Sequence, residues 1–220
     1  MKADLHVHTH HSGDNRQSLE EIFEACKRMG IGAVAITDHN SIVGAKEAME
    51  KAPEWLLVLP GIEITSADGH ILAYNVEKDI PRDRSAAETI DLIHQAGGIA
   101  VAAHPYRIWS GLGEDIVLAN RFDAVEVLNG RNTNHGNARA GMLVERLHCP
   151  FTAGSDAHRQ ANVGDACLVI PDDIRSKADM VAAIMDKRAG LEGHGRTFRM
   201  TVSYGSKAIA QWARRGFRRL

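Results

Sequence analysis

The sequence predicts an α/β fold built around a parallel sheet, and two observations carry that expectation. Short apolar runs rich in Val, Ile and Ala alternate with longer amphipathic stretches, the βαβα rhythm of strands joined by crossover helices. The runs are almost continuously hydrophobic, as strands become when helices cover both faces of a sheet or when a barrel closes.

The strand-like runs fall at residues 5–7, 33–36, 56–64, 70–76, 99–103, 124–128, 151–153 and 166–170. The first helix spans 18–30. Ser18 supplies its cap, Glu20 and Glu21 an acidic first turn, Ile22, Phe23 and Cys26 an apolar side, and Gly30 the stop. Further helices are expected over 41–51, 85–96, 136–147 and 176–188, the last after the start signal Pro171-Asp172-Asp173. Residues 56–76 break the rhythm, because only Ser66-Ala67-Asp68-Gly69 separates two runs, and that reads as a hairpin turn. Residues 199–204 read as a last strand. Residues 206–220 read as a helix with Ile209, Trp212, Ala213 and Phe217 on one side and Arg214, Arg215, Arg218 and Arg219 on the other. The expected organisation is one domain over 1–195, with 196–220 packed on it as a strand and a basic amphipathic helix.

The chain has 220 residues, 44% hydrophobic and 25% charged, enough to bury a full core. Its formal net charge of -2 gives no global attraction to nucleic acid or membrane, so any pull on an anionic substrate must be local. Cys26, Cys149 and Cys167 are odd in number and lack CxxC spacing, which fits reduced thiols and a cytoplasmic location. No apolar run approaches the ~18 residues of a membrane span, and the charged N-terminus does not resemble a signal peptide.

The 12 histidines are the anomaly, and their placement is informative. The first run ends in His6 and His8, the second in Asp38-His39, the third in Glu63, and the fourth begins at His70. The fifth ends in His104-Pro105 and the seventh leads into Asp156-Ala157-His158. In parallel α/β folds the C-terminal strand ends share one face, where sites are built. His70 departs from that rule by preceding its run. His6 and His8 are two apart, so on a strand both point to one side and can grip one metal, and Asp156 and His158 repeat the spacing. Imidazole with carboxylate suits zinc, manganese or iron. For His10, His11, His94, His135, His148 and His194 an ordinary structural role is at least as strong a reading as a ligand role. His94 and His148 fall in or near helices and are expected to face solvent, and His135 stays undecided.

Together these residues resemble the PHP family, the polymerase and histidinol phosphatase domains. The resemblance rests on Asp4-Leu5-His6-Val7-His8-Thr9, Ile36-Thr37-Asp38-His39, Gly61-Ile62-Glu63-Ile64, Ala103-His104-Pro105 and Gly154-Ser155-Asp156-Ala157-His158, in the family's order. It implies a distorted, TIM-like (β/α)7 barrel with up to three divalent metals at the C-terminal mouth. By analogy His6, His8, Glu63 and Asp156 surround one metal, and Glu63 bridges to a second completed by His70 and His104. A third takes His39, His158 and a side chain from the loop after His8, where Asp14 is preferred and His11 competes. Asp4 and Asp38 are expected behind the ligands, orienting imidazoles.

The implied chemistry is phosphoester hydrolysis by a metal-activated water held among His6, His8, Glu63 and Asp156, with no covalent enzyme intermediate. Arg107 and Arg131 are expected to meet the substrate phosphate, ahead of Arg159. Glu126 and Asn129 either line the pocket or fix a histidine. Candidate substrates are a nucleotide, a short oligonucleotide or a small-metabolite phosphate. The lack of polymerase segments favours a stand-alone enzyme on small substrates. One rival is an amidohydrolase, although residues 60–161 hold one lysine, Lys78, to serve as the carboxylated bridge such enzymes often need. The other is a non-catalytic metal- or nucleic-acid-binding module, supported by the terminal arginines. Metal identity and oligomeric state are not specified by the sequence.

Overall fold

The computed structural model of the chain describes residues 1–196. The terminal strand and basic helix expected beyond that point lie outside the described residues. In chain order the elements are β1 Lys2–Val7, α1 Leu19–Met29, β2 Ile31–Ile36, α2 Val43–Lys51, β3 Leu57–Thr65, β4 His70–Tyr74, α3 Ala86–Gln95 and β5 Ile99–Ala102. There follow α4 Gly113–Ala119, β6 Ala124–Asn129, α5 Asn134–Leu147, β7 Phe151–Gly154, β8 Ala166–Val169, α6 Lys177–Met185 and β9 Gly190–Gly193. Three helices start where the sequence says they should. Ser18/Glu21, Ser85/Glu88 and Ser176/Asp179 each form reciprocal capping boxes, a cap being worth about 1 kcal/mol. Two elements were not expected, α4 and β9.

The strands form a nearly closed, distorted barrel of TIM-like type, in the order β7-β6-β5-β4-β3-β2-β1-β8-β9. Pairs β1–β2, β2–β3, β5–β6 and β6–β7 are parallel, whereas β4 runs antiparallel to both neighbours. This hairpin resolves the placement of His70. Thr65, the last residue of β3, pairs with His70, the first of β4, so the start of β4 stands at the same mouth as the strand ends around it.

Alternation along the strands separates two apolar layers. Ala33, Ala35, Leu59, Leu72, Val101 and Ala153 pack inside with Tyr74, whose hydroxyl donates to Leu5 O at 2.8 Å. Val34, Ile36, Ile62 and Ile71 face outward onto α1–α3 residues such as Ile22, Ala45 and Ile93. Helix α6 contacts β3 and β7, and its Met180, Ala183 and Ile184 join the inner layer.

The gap between β7 and β1 closes at the mouth. Val7 bridges Ala157, and His8 N donates to Ala157 O at 3.1 Å. The approach requires glycine at 154, because a Cβ there would lie 2.3 Å from His6 Cβ. Farther down, β8 pairs antiparallel with the start of β1 and β9 with β8. All three cysteines are free, and among the described residues no helix is long and apolar enough to cross a membrane.

Candidate metal centre

The mouth gathers the side chains that the strand ends present. His6, His8, His104, Glu63 and Asp156 are all at most 1% exposed, a depth at which charged groups persist only when paired or bound to a cation. Glu63 is the hub. Its Oε1 accepts from His70 Nδ1 at 2.7 Å and His104 Nε2 at 3.0 Å. Its Oε2 faces His39 Nδ1 at 3.1 Å, His8 Nε2 at 3.2 Å and His6 Nε2 at 3.3 Å.

Those last contacts are close but misaligned for hydrogen bonding. His6 Nε2, His8 Nε2, His39 Nδ1 and Glu63 Oε2 are buried without a hydrogen-bond partner. Four lone-pair atoms converging without donors between them are costly unless a cation completes them. The donor set fits a divalent metal on this ground. Ligand atoms of His6–His8–Glu63, of His6–His104–Asp156, of His39–Glu63–His70 and of His8–His39–His158 each lie within 4.8 Å of one another. The grouping is more continuous than three separate triads, since His104 stands with His6 and Asp156 as well as beside Glu63.

The loop after His8 brings Asp14 rather than His11 to this cluster. Asp14 Oδ2 is 3.0 Å from His158 Nε2 and 3.8 Å from His39 Nε2. His11 turns away, with Nε2 2.8 Å from Glu47 Oε2. Asp156 meets both expected arginines. Arg107 Nη1 donates to Oδ2, and Arg131 Nη1 donates to Oδ1 at 3.1 Å and lies 2.7 Å from His158 Nδ1. His104 and Asp156 take φ of 27° and 53°, left-handed values that are uncommon for non-glycine residues, though less so for Asp and His.

The residues that orient the imidazoles differ from those expected. Glu126 Oε1 accepts from His6 Nδ1 at 2.8 Å, which leaves Nε2 free to face Glu63, while its Oε2 accepts from His104 N at 2.8 Å. Asn129, its other proposed companion, donates to Glu126 Oε2 at 3.1 Å. Ser12 Oγ lies 2.9 Å from His8 Nδ1 and accepts from His39 N at 2.9 Å. The sequence left Glu126 undecided and missed Ser12, whose only signal was its place between His8 and Asp14.

Asp4 and Asp38 hydrogen-bond to no imidazole ring, contrary to expectation. Asp4 accepts backbone N–H bonds from Ser155 at 2.8 Å, Gly164 at 2.9 Å and His6 at 3.3 Å. Burial pushes its carboxyl up to about 6. Asp38 accepts from Thr9 N at 2.6 Å and Thr9 Oγ1 at 2.7 Å, and Gly44 makes room for it, since a Cβ there would lie 2.0 Å from Asp38 Oδ2. Both carboxylates therefore hold backbone around β1. His94 pairs with Asp123, and His148 caps α5, so neither joins the centre.

Burial opposes charge throughout, and the neighbours decide the outcome. At Glu63 burial is outweighed by the His70, His39 and His6 imidazoles, which hold the carboxyl well below the usual range. At Asp156 burial is overridden by Arg107 and Arg131. Burial, reinforced by His158, takes His8 down to about 4, and burial also lowers His39 and His104. Asp14 is held at about 2, its burial overcome by the hydrogen bond from His158. His6 rises instead, because Glu126, Glu63 and Asp156 outweigh its burial. Carboxylates that favour a proton on His6 favour a cation in its place. Ionised carboxylates and neutral imidazoles are the forms that bind metals.

The PHP domain family model matches residues 4–192. The "Uncharacterized protein MJ1587" of Methanocaldococcus jannaschii is 41% identical over 141 residues, which are 59% of this chain and 82% of that protein. A Bifidobacterium adolescentis protein provisionally named a metal-dependent phosphoesterase superposes with a TM-score of 0.64 at 20% identity, covering 84% of this chain and 96% of that one. An amidohydrolase from Chromobacterium violaceum, with bound SO4 and no metal, gives a TM-score of 0.66 at 18% identity, covering 86% and 98%. At these identities the two structures show a shared fold.

Proposed function

This chain belongs to the PHP domain family, and from that footing we propose that it is a metal-dependent hydrolase of phosphoesters. The observation that carries the reading is the set of orphaned atoms His6 Nε2, His8 Nε2, His39 Nδ1 and Glu63 Oε2. His6, His8, Glu63 and Asp156 would hold one divalent ion, Glu63, His70 and His104 a second, and Asp14, His39 and His158 a third. Bound there, such ions supply Lewis acidity, activation of water near neutral pH and a clamp on the phosphoryl oxygens.

The chain's own residues do the rest. Glu126 and Ser12 fix the ring orientation of His6 and His8, so their free nitrogens face inward. Arg107 and Arg131 place fixed positive charge beside Asp156, where non-bridging phosphoryl oxygens need neutralising. The burial of His6, His8 and Glu63 excludes bulk water and strengthens each of these interactions.

The test uses p-nitrophenyl phosphate and bis-p-nitrophenyl phosphate with metal removed and restored. Hydrolysis is expected to fall to background on chelation and to return with manganese, zinc or iron. Turnover that survives exhaustive chelation would sink the reading. The Chromobacterium violaceum likeness favours a second reading, amide hydrolysis. Against it, Lys78 is exposed in the turn after β4 and offers no bridge at the centre. Cleavage of an anilide with neither phosphate ester touched would establish that rival instead.

Arg107→Ala is expected to raise KM for the phosphate ester by about 10-fold or more, the worth of a charge-assisted hydrogen bond, with metal content unchanged. Steady-state kinetics paired with metal analysis checks this, and unchanged kinetics would remove Arg107 from the site.

A further inference from the structure

The loop between β5 and α4 carries a feature that the hydrolytic chemistry does not use. Of the described large hydrophobic residues, Trp109 and Ile108 are the two most exposed, at 97% and 75%. Single exposed apolar residues are ordinary, but this pair sits on a loop folded tightly on itself. Arg107 N donates to His104 O at 2.9 Å, Gly111 N to Arg107 O at 3.0 Å and Gly113 N to Pro105 O at 2.9 Å. A Cβ on Gly111 would lie 2.5 Å from Pro105 O, so the doubling-back depends on glycine. The loop's other aromatic, Tyr106, is tucked in, donating to Glu114 and lying under the Arg139 guanidinium. Trp109 itself holds φ at 82°, a value that a bulky residue adopts when its surroundings impose it.

The residues on either side of this tip are tied to the metal centre. Arg107 bonds Asp156, and Ser110 O accepts from His70 N at 2.9 Å. Trp109 is two residues from Arg107, so their Cα atoms are within about 7 Å of each other. The loop tip that carries the solvent-exposed indole is therefore anchored on both sides to the centre, two residues from the arginine expected to meet phosphate.

Resting on the phosphoester reading above, we propose that Trp109, with Ile108 beside it, is a stacking platform for the nucleobase of a nucleotide or single-strand end. A simple sugar phosphate such as ribose 5-phosphate has no flat unsaturated ring to stack on an exposed indole. A base attached to the phosphate gains a stacking partner whatever its identity. The platform makes the site selective for phosphoesters that carry a base, without selecting among bases.

The experiment compares wild type, Trp109→Ala and Trp109→Phe with adenosine 5′-monophosphate and ribose 5-phosphate, in direct binding and in phosphate release with manganese restored. Wild type is expected to prefer the nucleotide in binding. Trp109→Ala should lose about 5- to 150-fold of that preference, the worth of one base–aromatic stack, through nucleotide binding alone. Ribose 5-phosphate constants should not move, and Trp109→Phe should keep most of the preference. Equal wild-type affinities, or a preference unchanged in Trp109→Ala, would overturn the platform while leaving the hydrolase reading intact. Failure to release phosphate from any ester removes that reading instead, and the binding ratios still decide the platform.

Discussion

Glu63→Gln is expected to lose bound metal and to cut hydrolysis by well over 100-fold, the largest loss of any single substitution at the centre. The expectation follows from position. Glu63 is 1% exposed, and its two oxygens face His70, His104, His39, His8 and His6. Removing a residue that only orients a metal-binding imidazole costs roughly 10–100-fold in metal affinity or activity. A carboxylate shared by several ligand groups should cost more. The amide keeps the size but loses the negative charge, and its N–H₂ binds no cation and can donate to the imidazole nitrogens in a cation's place. Metal analysis should show at least one divalent ion lost per chain. In a thermal melt, wild type should gain stability when metal is added back and Glu63→Gln should lose most of that gain. A variant that keeps its full metal content and activity would remove Glu63 from its place as the shared ligand.

Much of this centre was legible because strand periodicity and strand direction act locally. Residues two apart on a strand share a face, so His6 and His8 could be paired by inspection, and parallel strands send their ends to one side. His70 seemed to break the rule, yet the Ser66–Gly69 turn already contained the answer, since a hairpin returns the chain to the mouth it has just left. The sequence was silent where partners are far apart along the chain. Glu126 meets His6 across 120 residues, and no spacing announces that. Asp38 sits next to His39, and proximity suggested an imidazole partner, but its oxygens are spent on Thr9. Two elements escaped for a different reason. Helix α4 has no side-chain cap and begins at a glycine, and β9 is exposed at every residue, so it carries no hydrophobic alternation and is held to β8 by backbone pairing.

Asp4 differs from the carboxylates of the candidate metal centre, and replacing it should damage the fold more than metal binding. Its Oδ1 serves Ser155 N and His6 N, and its Oδ2 serves Gly164 N. Ser155 follows β7 and Gly164 precedes β8, so the one side chain ties β1 to the two segments along its outer edge, where the barrel closes. Asp4→Ala leaves those buried donors without an acceptor, at about 1–3 kcal/mol each. Part of this is returned, because burial already disfavours the ionised carboxyl and lifts it to about 6. The net loss should be about 2–4 kcal/mol, a large share of the roughly 5–15 kcal/mol that holds a domain together. Asp4→Asn keeps one acceptor but turns an N–H₂ toward one of the donors, so it should fall between wild type and Asp4→Ala. Urea unfolding of the chelated proteins, with activity measured after metal is restored, ranks the three. An Asp4→Ala protein with an unchanged unfolding midpoint but depleted metal would return Asp4 to the imidazole-orienting role that its nearness to His6 first suggested.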